Sequence, residues 1–501
     1  MYICPLSGHH SGMRVTKKIL EERGLFWWHE DPVPANQFAP DSCVVGTLSI
    51  EENGATYLEL DGYFASSEGG PMAGIAAQGQ QFPLEKAIQG KLKASGRNVL
   101  LLGLRRRGGR FSSNGISHEG FAASHCLVTD RVFPPAKRPL RFNALDVELT
   151  GLEEWLRLGN IEVKRTRQRI SAKHRVPRAD IHELDDGTLT MRYDITGPWP
   201  SKFAHRMDKL NLVESVNLCV KLKRARTLLE MRDEYARLQE LFILLTGTTF
   251  SLEWPRLIIG KMAYHYYYEG FERSTKAPTW DECWINYIQV KSNFGSIVTA
   301  LRRKREEFGP GFYLYLGIRR GMKMYVEHRF VNLIWGLESL HRRKNKDKAK
   351  ESKLDAKIQR ILAQISGSDD KRWLKGQLKH AGEPSLKERL MDVLSALPLG
   401  FERKRMEAFC KSCADRRNDM SHFGGQREGS DYREFMIDLV RKSEALACLY
   451  HAVLLHEIGV DATLIKAALL ENGPNASRSK YAFREVGLLP VGKGDDHILD
   501  G

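Results

Sequence analysis

Residues Arg417–His422 read RNDMSH, an R-N-x-x-x-H pattern that ends the helical stretch Phe401–Met420. Gly424 and Gly425 follow and close the segment. An arginine guanidinium stays charged and binds phosphate, whereas a histidine imidazole exchanges a proton near neutral pH. Side chains of these two types have the chemistry to cleave an RNA phosphodiester without a metal.

The segment belongs to a C-terminal half in which apolar residues recur at helical spacing, a pattern that predicts a helical bundle. Glu338 lies on one of these apolar stripes. Because burying an unpaired charge is costly, we expect its carboxylate to pair with Arg417. The predicted helices are Ile285–Phe308, Phe312–Leu340, Lys353–Ile365, Leu386–Leu397, Phe401–Met420, Tyr432–Ile458 and Asp461–Leu470.

The N-terminal part has the pattern of β-strands instead. Val44–Ile50 and Thr56–Phe64 flank a turn-forming cluster, Glu51–Ala55, so we predict a β-hairpin. Val99–Leu104 is a further predicted strand that ends in a basic loop, Arg105–Arg110. This loop either contacts phosphates or is a solvated turn. Other predicted strands are His125–Val128, Leu145–Leu149, Thr188–Asp194 and Ser251–Ile259.

A helical insert interrupts the strands at about residues 222–245, where apolar residues have helical spacing, and Gly247 ends it. Aromatic residues crowd the segment Tyr264–Tyr268. Such a run is either a base-stacking surface or a strand with one face in the core, and we interpret it as core.

These patterns predict an α+β fold, with a β-rich N-terminal region followed by an all-α helical bundle. We divide the chain into a β-rich sensing or regulatory region, residues 1–275, a helical connector, 276–320, and the bundle, 321–472. The polar, glycine-rich tail, 473–501, is expected to be flexible.

Composition favours a polyanionic partner. The 501-residue chain has 77 Lys and Arg against 62 Asp and Glu, a formal charge of +15, and nucleic acid is the commonest partner of basic proteins. No apolar run approaches the roughly 18–20 residues that span a bilayer, so no membrane association is expected. The segment Met1–Pro5 lacks the pattern of a signal peptide, and we expect a cytoplasmic protein.

Two groups of residues have the types and spacing of metal ligands. Cys410 and Cys413 have the spacing of zinc ligands, but no second pair completes a four-ligand set, and two small core residues explain the spacing as well. Glu162 and Lys164 form an E-x-K pattern on a predicted strand, with Asp146 upstream. Two carboxylates and a lysine can hold Mg²⁺, although a solvent-facing strand explains the pattern better. We therefore expect no metal and no cofactor.

By itself, His422 near a helix end is explained by a favourable interaction with the helix dipole. The wider sequence adds a resemblance. The C-terminal region, with Arg417–His422 and the helix Phe330–Leu340, resembles a HEPN domain, whose signature is R-x4-6-H, commonly with Asn, Asp or His after the Arg. Together with the strands from Gly46 through Phe64, the whole chain is similar to the ApeA-type proteins of bacterial anti-phage defence.

The resemblance implies a metal-independent endoribonuclease of abortive infection, a homodimer or higher even oligomer in which two motifs face one cleft. It implies that His422 is the general base or acid and that Arg417 binds the scissile phosphate. Asn418 would orient the substrate or the arginine, and Glu338 would hold Arg417. Implied partners are RNA, either tRNA or another host RNA, and a phage-derived trigger.

The basic stretch Arg342–Arg360 has no counterpart that we can map onto the family. It is either a solvated face or a substrate-binding surface, with Arg342, Arg343, Lys344 and also Arg416 as candidates. A rival interpretation is a non-catalytic module that binds nucleic acid or protein, in which Arg417 and His422 are structural.

Overall fold

The computed structural model describes residues 17–64, 79–110, 117–197, 211–270, 274, 276–320, 322–345, 352–378, 383–423, 431–471 and 473–490. The side chains of Arg110, residues 352–355, His422 and Phe423 lie outside the described part. So do Gly424 and Gly425, which follow the R-N-x-x-x-H segment.

Antiparallel strands make up most of the N-terminal region. They are β1 (Lys18–Trp28), β2 (Val44–Glu51), β3 (Thr56–Leu60), β4 (Ile88–Leu92), β5 (Asn98–Arg110), β6 (His118–Thr129), β7 (Phe142–Glu148), β8 (Ile161–Arg165), β9 (Ile170–His174), β10 (Asp180–Leu184), β11 (Gly187–Thr196), β12 (Val213–Arg226), β13 (Arg256–Ile259) and β14 (Met262–Tyr268). A 12-stranded sheet has the order β10-β11-β12-β7-β13-β14-β6-β3-β2-β1-β4-β5, and β8 and β9 pair separately.

Because β5 also pairs with β6, the strands β6-β3-β2-β1-β4-β5 close into a ring. Its interior is filled by side chains that alternate along each strand, as the period of two in a β-strand requires. Phe26, Leu48, Ile88 and Val99 are fully buried members of this core. The predicted hairpin is confirmed, since β2 and β3 pair with Leu48 opposite Leu58.

The prediction of a basic loop at Arg105–Arg110 is wrong, because these residues belong to β5. Arg106 is buried, and its Nε lies 2.8 Å from Oε1 of Glu119 on the neighbouring strand β6. Burial raises the pKa of the Glu119 carboxyl even though Arg106 opposes the shift. The arginine therefore satisfies a buried carboxyl, and it is not a surface cation.

Helices dominate the C-terminal part, and the first two helices of the described part lie among the N-terminal strands. The helices are α1 (Glu153–Leu156), α2 (Leu228–Thr246), α3 (Tyr287–Val290), α4 (Phe294–Phe308), α5 (Pro310–Arg319), α6 (Val326–Lys344), α7 (Ser352–Ala363), α8 (Ser368–Gln377), α9 (Leu386–Leu394), α10 (Arg403–Phe423), α11 (Tyr432–Glu457), α12 (Ala462–Lys466) and α13 (Pro474–Glu485). Lys291–Asn293 forms a 3-10 turn before α4, and Ala467–Glu471 forms a π-helical turn after α12.

The helical insert is α2, and its ends follow the expected chemistry. Thr227 caps it in a capping box with Glu230, and Gly247 ends it with a φ of 67°. The predicted start at residue 222 was too early, since residues up to Arg226 belong to β12. The aromatic segment is β14, and Tyr264 and Tyr266 are fully buried, which confirms the core interpretation.

The sheet and the bundle share one hydrophobic core. Leu218 of β12, Leu241 of α2, Leu337 of α6 and Leu446 of α11 are all buried within a single cluster. In the bundle, α6 packs against α5, α9 and α11, and α9 packs against α10. The boundary at residue 275 stays a prediction, but the two regions adjoin through a continuous apolar interior.

Three predictions for the C-terminal part need correction. The predicted helix Ile285–Phe308 is divided into α3, a 3-10 turn and α4. The predicted helix Phe312–Leu340 is divided into α5 and α6, which approach so closely that a Cβ on Gly311 would lie 2.1 Å from Cα of Gly336. The predicted flexible tail contains α13, whose Phe483 is fully buried. Among the described residues, no helix is long and apolar enough to cross a membrane.

Candidate functional site

The R-N-x-x-x-H segment occupies the last turns of α10. Arg417 is partly buried and Asn418 is exposed, and Nη1 of Arg417 donates to Oδ1 of Asn418 at 3.4 Å. His422 lies on the same helix, but its side chain is outside the described part. Asn418 and His422 are four residues apart, so they lie on one face of a regular helix.

A charged cluster beside the segment ties α10 to α11. Nε of Arg416 donates to Oδ2 of Asp438 at 2.6 Å, Lys442 contacts the same carboxylate, and the Arg416 guanidinium lies 5.2 Å from the ring centroid of Phe435. Burial would raise the pKa of Asp438, but the hydrogen bonds from Lys442 and Arg416 outweigh it and hold the pKa below its usual value. Arg416, predicted to bind substrate, is therefore occupied by an internal carboxylate.

Glu338 does not pair with Arg417. Its Oε1 accepts from Nη1 of Arg389 at 2.6 Å and from Nε of Arg342 at 3.2 Å. Arg389 is buried and also donates to Glu383 at 2.7 Å. The largely buried carboxylate of Glu338 has a cationic partner, but this partner comes from α9.

Glu338 does not reach Arg417 because the two residues lie at different heights along the axis of the helical bundle. Lys387 at the start of α9 donates to Glu407 of α10 at 2.6 Å, so the Glu338–Arg389 contact lies near the level of Glu407. At about 1.5 Å per residue, about 15 Å of helix separate Glu407 from Arg417. The prediction that Glu338 holds Arg417 is therefore wrong.

The cations at the end of α6 are farther away still. Lys344 pairs with Glu457 at the end of α11, Arg343 donates to the backbone oxygen of Glu306 at 2.6 Å, and Arg342 contacts Glu338 and Glu383. At about 1.5 Å per residue, about 28 Å of α11 separate Glu457 from Asp438, which lies beside the motif. Arg342, Arg343 and Lys344 therefore do not join Arg417 in one site within a single chain.

The alternative metal site does not assemble either. Glu162 lies exposed on β8, in the separate two-stranded sheet, whereas Asp146 lies on β7. The Asp146 carboxylate contacts Arg256 at 2.6 Å and Arg192 at 3.4 Å, so its charge is already neutralised. No group of three or more His, Cys, Asp or Glu in the described ranges could hold a metal ion.

Cys410 and Cys413 are core residues of α10. Both thiols are buried, and burial raises the pKa of Cys410 to about 12 and that of Cys413 well above its usual value. The described part of the chain places no further His, Cys, Asp or Glu to complete a metal site with them, and protonated, buried thiols behave as small apolar side chains.

His451 is a structural residue that inspection of the sequence missed. It is fully buried, its Nδ1 accepts from the Tyr315 hydroxyl at 2.5 Å, and its Nε2 donates to the backbone oxygen of Leu244 at 2.8 Å. Burial holds its pKa well below the usual value, so the ring is neutral. The only sequence signal was a histidine within an apolar helical stretch. This contact joins α11 of the bundle to α2 of the N-terminal region.

Comparison with known families identifies both regions. The family model described as ApeA N-terminal domain 1 matches residues 21–300, and the one described as Apea-like HEPN matches residues 331–464. No curated protein and no solved structure matches the chain. The paired matches support a nuclease-type role in anti-phage defence.

Proposed function

The chain belongs to the ApeA family with a C-terminal HEPN domain, and on that premise we propose that it is a metal-independent endoribonuclease of anti-phage defence. The observation that carries the proposal is the R-N-x-x-x-H segment within the region matched by the HEPN model, at a helix end where Arg417 and Asn418 lie in contact. Its substrate is RNA of the infected cell, in the cytoplasm, and the formal charge of +15 favours that polyanion.

In the proposed reaction, the 2′-hydroxyl of one nucleotide attacks the adjacent phosphorus and the bond to the 5′-oxygen breaks. His422 removes the 2′-hydroxyl proton or supplies a proton to the departing 5′-oxygen. Arg417 binds the scissile phosphate with its planar fork and stabilises the negative charge that develops in the transition state. Asn418 orients Arg417 or the substrate by hydrogen bonding.

Helix geometry is consistent with the dimer that the family resemblance implies. At about 100° per residue, positions 417 and 422 are about 140° apart around α10, which favours a site that a second chain completes. In the proposed dimer, a two-fold axis brings the Arg417–His422 segments of the two chains together at one cleft. The proposed site is therefore composite, with one arginine and one histidine from each protomer.

We assign a restraining role to the N-terminal region, because charged contacts join it to the bundle. Arg305 of α4 donates to Glu240 at 2.7 and 2.8 Å and to Asp233 at 2.6 Å, both on α2. Lys304 on the same helix donates to Glu457 of α11 at 2.9 Å. A phage-derived trigger that alters the N-terminal region can act on α11, and so on α10, through α4.

Cleavage of a fluorescent RNA by the full chain, in EDTA and in Mg²⁺, tests the proposal. We expect equal cleavage in both buffers and none with Arg417→Ala or His422→Ala. Matched controls are Arg403→Ala, an exposed arginine at the start of α10, and His456→Ala, an exposed histidine in the last turn of α11. Both controls should cleave at the wild-type rate.

The other outcomes separate the rival functions. Wild-type cleavage by both site variants would contradict the site assignment. Loss of cleavage in EDTA and in Glu162→Gln would favour metal-dependent chemistry. RNA binding without cleavage, even in lysate of phage-infected cells that supplies the trigger, would favour a non-catalytic binding module.

A further inference from the structure

A cavity of about 200 Å³ lies where α2, the end of β14 and the residue after α5 meet. The described residues that line it lie outside α10 and α11, so it is separate from the proposed cleavage site. The side chains that matter for its chemistry are those of Arg232, Tyr235, Gln239, Trp254, Tyr268 and Arg320. These are aromatic, amide and cationic groups.

The aromatic side chains form a connected wall. The ring centroids of Trp254 and Tyr268 are 5.4 Å apart with an interplanar angle of 87°, and those of Tyr235 and Tyr268 are 6.2 Å apart at 81°. Tyrosine and tryptophan rings bind nucleobases by stacking, because every base has a flat π-face. The cavity therefore has a surface suited to an aromatic ring.

The charged side chains that line the cavity in the described part of the chain are positive. Arg232 and Arg320 line it, and no Asp or Glu of the described ranges does. The Arg232 guanidinium lies 4.9 Å from the ring centroid of Tyr268, so cation and aromatic wall are adjacent. Burial lowers the pKa of Arg320, and the nearby Glu240 carboxylate opposes the shift. The cavity thus favours a ligand that is aromatic and negatively charged.

The wall is held in place by its own hydrogen bonds. Gln239 donates from Nε2 to the backbone oxygen of Phe250 and accepts from the backbone N–H of Leu252, both at 2.8 Å. The Tyr235 hydroxyl lies 3.0 Å from the backbone oxygen of Leu252. A site that is already ordered loses less entropy when a ligand binds.

We propose that this cavity binds a nucleotide, with its base against Trp254 and Tyr268 and its phosphate on Arg232 and Arg320. The volume is below the roughly 300 Å³ at which sites for drug-sized ligands begin, so it suits one base with the sugar and phosphate towards solvent. Arg320 directly follows α5, whose Tyr315 contacts His451 of α11. A bound nucleotide would thus contact both the N-terminal region and the helical connector.

Calorimetric titration of the full chain tests the proposal without any measurement of RNA cleavage. The probes are the four nucleoside 5′-monophosphates, the matching nucleosides, inorganic phosphate and a 5′-phosphorylated tetranucleotide. We expect at least one monophosphate to bind with a Kd below about 1 mM and its nucleoside to bind about tenfold more weakly, because the charge-assisted contacts are lost.

Variants locate the ligand. Arg232 is exposed, so Arg232→Gln should fold normally and weaken binding about tenfold. Thr249→Trp, at an exposed position of the lining, should fill the cavity and abolish binding. Arg372→Gln, an exposed arginine on α8, is the matched control and should bind normally. Thermal unfolding checks the fold of each variant, and if Thr249→Trp does not fold, Arg232→Gln alone decides.

Four results would overturn the proposal. The first is that no monophosphate gives heat at about 1 mM, and the second is that folded Arg232→Gln binds normally. The third is that inorganic phosphate binds as tightly as the monophosphate. The fourth is that the tetranucleotide is the only probe that binds.

Discussion

Nη1 of Arg389 donates to Oε1 of Glu338 at 2.6 Å and joins α9 to α6 in the interior of the bundle. Both side chains are largely buried, with 5% and 13% of the side chain exposed. The apolar stripe around Glu338 correctly indicated a carboxylate in need of a cation. The contact itself holds the bundle together at a level remote from the R-N-x-x-x-H segment.

We predict that Arg389→Met destabilises the protein by about 3 kcal/mol, because it leaves a buried carboxylate without its main partner. Urea unfolding measures this loss. At a temperature where the variant is folded, RNA cleavage should equal that of the wild type. If Glu338→Gln abolished cleavage with unchanged stability, a direct role of Glu338 at the cleavage site would have to be reinstated.

Arg417→Lys should reduce kcat/KM for RNA about 100-fold, although the charge is retained. Lysine cannot offer the planar, bidentate fork that matches a phosphate. Arg403→Lys, at the start of the same helix, is the control and should cleave normally. Wild-type cleavage by Arg417→Lys would show that the site needs only a positive charge at this position.

Arg305→Gln should increase cleavage in the absence of a trigger. The substitution removes two hydrogen bonds to Glu240 and one to Asp233, and so loosens the contact between α4 and α2. Growth inhibition on expression, compared between Arg305→Gln and Arg305→Gln with His422→Ala, measures the effect. Unchanged basal activity with a folded Arg305→Gln variant would argue against restraint through α4.

Stability should fall as the pH is lowered from about 6.5 towards 4, because buried histidines bind protons only in the unfolded chain. Burial lowers the pKa of His125 to about 4 and that of His451 well below the usual 6.5. Each histidine then contributes a loss of about 1.4 kcal/mol per pH unit below 6.5. Urea unfolding at several pH values gives the slope, and a flat profile between pH 6 and 5 would contradict it.

A further loss of stability should appear below about pH 4, through Asp438. Its pKa is lowered in the folded protein, so its contribution is full above the ordinary aspartate pKa and is lost as the pH falls through the lower, folded value. Asp438→Asn should be less stable at pH 7 and should lack this part of the acid dependence. The acid limb of the unfolding curve, compared between wild type and variant, measures it.

Local patterns predicted much of the fold. Alternating apolar residues around Glu51–Ala55 gave the β2–β3 hairpin, and helical periodicity gave the core of each long bundle helix. Gly247 marked the C-terminal end of α2. These features depend on neighbours along the chain, so they can be recognised without the tertiary structure.

Local patterns could not predict contacts between residues that are distant in sequence. From the sequence, Arg106 was predicted to be a loop cation, but in the structure it pairs with Glu119 on β6. The tail was predicted to be polar and flexible, but in the structure its Phe483 is buried against the bundle. In both cases the free energy of burial comes from residues distant in sequence, and this cannot be inferred from composition.

For the candidate site, too, some features were predicted from the sequence and others were known only from the tertiary structure. The sequence alone determined the R-N-x-x-x-H pattern, the α+β fold class and the family resemblance, because each depends on residue identity and local spacing. Only the tertiary structure decided that Glu338 pairs with Arg389 and that Arg416 pairs with Asp438. The physical reason is that an ion pair requires two charges at the same level of neighbouring helices, and that level is set by how the whole bundle packs.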